Sequence, residues 1–129
     1  MTGLRDNKGF TLIEIMIAIF ILVVALLGLI SVTVMVIKGN SFSKTMTTAT
    51  TLAKDKMEEM KNLGYSGTSS SDITTTEGYN SITNYPTYKR DTKIDVASPA
   101  AGMKTIEVKV EWKWQGTDRN VTLKSIVAQ

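Results

Sequence analysis

Lys8-Gly9-Phe10-Thr11-Leu12-Ile13-Glu14, running straight into the apolar stretch Ile15–Ile37, decides how this chain is built. Ile15–Ile37 holds 23 residues with no charge and no proline, broken only by Ser31 and Thr33. As a helix rising about 1.5 Å per residue it is about 35 Å long, enough for a hydrocarbon core of roughly 30 Å. A secretory signal has a shorter apolar stretch, about 7–15 residues, and ends at a small-residue cleavage site. Val36-Ile37-Lys38-Gly39-Asn40 is no such site. Upstream, Met1–Gly9 is polar, and Arg5 and Lys8 predict a cytoplasmic N-terminus for a single-pass segment. Lys38 on the far side weakens that asymmetry without reversing it.

A plain single-pass anchor accounts for all of this except Glu14. A carboxylate among Phe10, Leu12, Ile13, Ile15 and Met16 costs roughly 2.5–3.5 kcal/mol at membrane depth if unpaired. In an arbitrary anchor it would sit hydrated at the headgroup level.

Composition narrows the function classes. At 129 residues the chain has room for one anchor and one small domain. It has no cysteine and no histidine, which removes disulfides, thiolate metal sites, cysteine nucleophiles and imidazole chemistry. The net charge of +3 is small and mixed in sign, so no nucleic-acid partner is expected. No carboxylate pair, phosphate-binding loop or metal-ligand cluster stands out. The expectation is a structural protein without catalytic residues, cofactor or metal.

The run from Lys8 to Glu14, followed directly by the apolar helix, resembles the class III signal of type IV pilins and pseudopilins. The resemblance implies that a prepilin peptidase cuts Gly9–Phe10 on the cytoplasmic side and methylates the new amine of Phe10. It also implies a partner for Glu14: the N-terminal amine of an adjacent subunit in a filament. Each charge is costly alone in apolar surroundings, and together they can fix the axial register between helices. The segment Ala49–Lys61 is similar to the helix that follows the membrane in minor pilins of the PilV kind, and in I-type minor pseudopilins of type II secretion. Val108–Trp112 and Val121–Leu123 are similar to their closing strands. Many major pilins carry a proline within the apolar helix, and none stands here.

The implied fold is α+β and type IV pilin-like, a long N-terminal helix packed on a small antiparallel sheet. The expected organisation is a leader at 1–9, a transmembrane helix half at 10–37, an amphipathic half at 38–63, a variable loop at 64–87 and a β-meander at 88–129. The implied function is a minor pilin that primes or modifies a type IV pilus, held first in the bacterial inner membrane and then in the filament. A minor pseudopilin in a periplasmic pseudopilus is the alternative, and an uncut anchor presenting a small binding domain is a rival of another class. The implied partners are the peptidase, other pilins or pseudopilins, the inner-membrane assembly machinery and the lipid bilayer.

The remaining sequence supports these elements. Phe42, Met46, Ala49, Ala53, Met57 (or Lys56), Met60 and Leu63 recur at helical spacing and predict one buried stripe. Glu58 and Lys61 are placed to pair at i,i+3, Gly64 to stop the helix, and Gly39-Asn40 to be its weak point. Residues 64–87 are dominated by Gly, Ser, Thr, Asn and Tyr and read as a loop, either a functional segment or a connector. Ile106, Val108, Val110, Trp112 and Trp114 alternate with Thr105, Glu107, Lys109, Glu111 and Lys113, which predicts a half-buried strand. Tyr88–Val96 precedes it, and Val121, Leu123 and Val127 follow a turn at Gln115–Asp118 on the same face as the two tryptophans. Alternation of the lysines with Glu107 and Glu111 predicts a solvated outer face.

Overall fold

A computed structural model describes residues 9–129; residues 1–8, with Arg5 and Lys8 and all but the last residue of the expected leader at 1–9, lie outside the described residues. One helix, α1 (Leu12–Gly67), is followed by four strands: β1 (Ile73–Glu77), β2 (Tyr88–Val96), β3 (Met103–Trp114) and β4 (Thr117–Ala128). The architecture is α+β. The chain divides into two compact units at Asn40/Ser41, and each is described by itself.

In the first unit the helix continues unbroken through Gly39. Its apolar side chains, from Leu12 to Ile37, are exposed on every side. Ser31 and Thr33 return their hydroxyls to the carbonyls of Leu27 and Leu29, at 3.1 and 2.9 Å, so neither presents an unpaired donor. By length and composition this helix can cross a membrane.

In the second unit the rest of α1 packs on a four-stranded antiparallel sheet of order β1-β2-β3-β4. Ala49, Leu52, Ala53 and Met57 meet Ile82, Tyr88, Ile94, Ile106, Val108, Val110 and Trp112 in one core. Alanines at 49 and 53 let the helix approach the sheet closely. Phe42 adds an edge-to-face contact with Trp114, ring centroids 5.5 Å apart. The strict alternation of β3 holds, with its apolar residues toward the helix. A two-residue turn, Gln115-Gly116, with both φ positive (49° and 78°), joins β3 to β4, shorter than the four-residue turn expected.

Several expectations need correction. The segment read as a loop over 64–87 contains the strand β1, paired to β2 with Ile73 opposite Ile94 and Glu77 opposite Arg90. The buried helix stripe includes Leu52, whereas Met46 and Leu63 are about half exposed; Met46 sits with Ser43, Thr47, Thr50 and Lys54 on another side of the helix. The predicted Glu58–Lys61 pair gives way to Lys56–Glu59 at 2.9 Å. Gly64 does interrupt the helix, with φ 68°, but one more turn follows before Gly67.

That last turn carries no basic residue to meet its free carbonyls. Lys104 of β3 supplies the cation from across the core. Its Nζ donates to the carbonyl oxygens of Tyr65 (2.6 Å) and Thr68 (3.2 Å) and lies 4.2 Å from the centre of the Tyr65 ring. Lys104 is buried, yet its ammonium is partnered.

Candidate processing and assembly site

Gly9, Phe10 and Thr11 lie outside the helix, which begins at Leu12. The reason is local. Thr11 is followed three residues later by Glu14, and the two cap the helix reciprocally. The Glu14 amide donates to Thr11 Oγ1 at 3.3 Å, and the Glu14 carboxylate accepts from the Thr11 amide at 3.3 Å and the Thr11 hydroxyl at 3.5 Å. The Thr11 carbonyl receives the first main-chain bonds, from Glu14 and Ile15. Two of the helix's unpaired amides are thereby met, and the Gly9–Phe10 bond is held just upstream of the first turn. Sequence reasoning singled out Glu14 for its charge and missed this cap; the Thr-x-x-Glu spacing ahead of an apolar run was the available signal.

Phe10 is 82% exposed, and among the described residues nothing lies within 4 Å of where a Gly9 side chain would begin. Phe10 and Glu14 line one shallow groove with Ile15, Ala18 and Ile19. The walls are almost wholly apolar. The three residues that sequence reasoning selected, Gly9, Phe10 and Glu14, therefore sit together at the start of α1.

The second unit carries a different electrostatic pattern. On the outer sheet face Lys89 bridges Asp91 and Glu111 at 3.0 and 3.4 Å, Lys109 pairs with Glu111, Lys93 with Asp95 at 2.9 Å, and Lys124 with Glu107 at 2.8 Å. Hydrogen bonds to these carboxylates raise the pKa values of Lys89, Lys93 and Lys109, and the Lys109 contact lowers that of Glu111. Cations neutralised this way make a weak footprint for a phosphate backbone. On the inner side Arg90 clamps the Glu77 carboxylate in two bonds, at 2.5 and 2.7 Å, and donates to the Leu52 carbonyl of α1 at 3.1 Å. Among the described residues, no group of three or more His, Cys, Asp or Glu side chains is placed to hold a metal ion.

Residues 4–30 match the family model described as the prokaryotic N-terminal methylation motif. No curated protein and no solved structure matches the chain.

Proposed function

We propose that this chain is a type IV pilin-like filament subunit, of the minor pilin kind, that is cut between Gly9 and Phe10 and methylated on the Phe10 amine. The observation that carries the reading is the methylation-motif match over residues 4–30, which spans the Gly9–Phe10 junction and the exposed apolar helix behind it. An open, non-helical junction favours a peptidase, since a scissile peptide inside a helix would have its backbone engaged. The apolar surface of the first unit needs lipid before assembly and neighbouring helices afterwards; water suits neither state. The subunit waits in the inner membrane and then enters the filament, where Glu14 meets the Phe10 amine of a neighbour. The absence of proline from the apolar helix favours a minor subunit. A minor pseudopilin shares every one of these residues and differs in the filament that it joins.

Intact mass of the protein recovered from membranes tests the reading. The expected species begins at N-methylated Phe10, lighter than the precursor by the nine leader residues. Gly9→Val should leave the precursor uncut and still inserted, because nothing among the described residues crowds that position. Only uncut wild-type protein, in cells that carry the peptidase, would overturn the proposal.

A further inference from the structure

The sheet has two open edges of unequal kind. β1 presents five residues and β4 presents twelve, and no proline interrupts either. Along β4, Val121, Leu123 and Val127 are only half-buried under the helix, and Ile126 on the outer face is 53% exposed. A long open edge offers a row of unpaired amides and carbonyls, which proteins usually shorten, bend or cover. Strand direction alternates from β1 to β4, so the two edge strands run opposite ways. A second copy set beside the first, turned by the twist of the sheet, thus brings its β1 antiparallel to the first copy's β4.

We propose that β4 of one copy pairs with β1 of a second copy of this chain, head to tail, with Leu123 opposite Ile73. Ile73 pairs with Ile94 and Leu123 with Val108, so both belong to the helix-facing side, as the pleat requires. The register brings opposite charges together at both ends of β1: Asp72 faces Lys124 on the outer side, where Lys124 also pairs with Glu107, and Glu77, already held by Arg90, faces Arg119 on the inner side. Thr74 lies opposite Thr122 between them. Sliding by two residues destroys the match. One direction sets Asp72 against Ile126 and Glu77 against Val121; the other leaves both carboxylates facing threonines.

The contact joins two different surfaces, so it does not close on itself and extends as an open row. Sheet twist turns each copy relative to the last, so the row winds as it extends. A β4-to-β4 contact about a two-fold axis normal to the sheet would reverse the second copy's helix direction. The inference rests on the sheet alone and does not depend on cleavage at Gly9.

Because the chain has no cysteine, paired reporters test it cleanly in the full-length protein in its membrane. Opposed residues of antiparallel strands have Cα atoms about 4.5–5.5 Å apart, within disulfide range. Under mild oxidation, Thr74→Cys/Thr122→Cys should give a ladder of dimers, trimers and larger species. Either single variant alone should stay monomeric, and a mixture of the two should stop at dimers. Lys124→Glu on the double-cysteine background should cut the ladder roughly fivefold, the scale of turning an exposed attractive pair into a repulsive one. Asp72→Lys should then restore it. Raising salt should weaken the ladder without any charge variant, which keeps the test independent of their folding. No ladder from the double variant, self-linking of a single variant, or a ladder indifferent to both salt and Lys124→Glu would each overturn the proposal. Intact mass of the same samples reports the Gly9 cut, so this failure is separable from that of the proposed function.

Discussion

In the single chain the Glu14 carboxylate turns back on its own helix start, 3.3 Å from the Thr11 amide. It has a structural use before any neighbour arrives, and so two roles must be separated by experiment. Glutamine at the third helical position still completes a capping box, while alanine does not. Glu14→Gln therefore keeps the cap and removes the charge; Glu14→Ala removes both. If pairing with a neighbour's amine is what matters, both variants should be inserted and cut, and both should be depleted in sheared filaments relative to membranes. Wild-type incorporation of Glu14→Gln would leave the cap as the residue's whole role. Glu77 offers a second residue-scale case. Its pKa is lowered, first by the hydrogen bonds from Arg90, with burial opposing and the Arg90 charge assisting. A lowered folded pKa means stability that is present above the unfolded value, about 4.3, and lost as pH falls through the folded one. Unfolding measured between pH 6 and pH 3 should show that loss. Glu77→Gln should be less stable than wild type at pH 6 and should have a shallower slope through the acidic range; equal slopes would show that the Arg90 clamp contributes nothing.

The elements differ in how plainly the residues announce them, and the differences have physical causes. The apolar helix and β3 are legible because each obeys one period over many residues: a run with no charge from Ile15 to Ile37, and strict alternation from Thr105 to Lys113. β1 hides because an outer strand next to solvent needs no apolar face. Its sequence, Ile73-Thr-Thr-Thr-Glu, lacks alternation, and four consecutive β-branched residues were the sole cue. Its stability is borrowed from β2, through the Thr76–Asp91 bond at 2.6 Å and the Arg90–Glu77 clamp. Lys104 was missed for the opposite reason. Its position falls in phase with Ile106, Val108 and Val110, so alternation places it inside, but a lysine reads as surface unless its partners are known. Those partners are carbonyls 36 and 39 residues earlier, at the end of α1. At the candidate processing site, Gly9, Phe10 and Glu14 were readable from order and spacing, whereas the cap joining Thr11 to Glu14 needed the helix start to be located.

At the scale of the whole molecule, the two units pose opposite solvent demands. Residues before Ser41 display apolar surface that water does not tolerate, while Ser41–Gln129 encloses its own core of 11 buried residues. Ser41–Gln129 alone should therefore be water-soluble and should unfold cooperatively in urea. A domain this small buries a modest share of its surface, so its total stability should fall toward the low end of about 5–15 kcal/mol. Trp112 then becomes decisive, being 3% exposed and packed with Tyr88 at 6.3 Å between ring centroids. Trp112→Ala should cost roughly 3–5 kcal/mol and leave the domain only marginally stable. Trp112→Phe should cost clearly less, because phenylalanine keeps most of the apolar contact and removes a buried indole N–H that has no acceptor among the described residues. Urea midpoints followed by circular dichroism give both values. A loss below about 1 kcal/mol for the alanine variant would mean that Trp112 is not part of the core that holds helix to sheet.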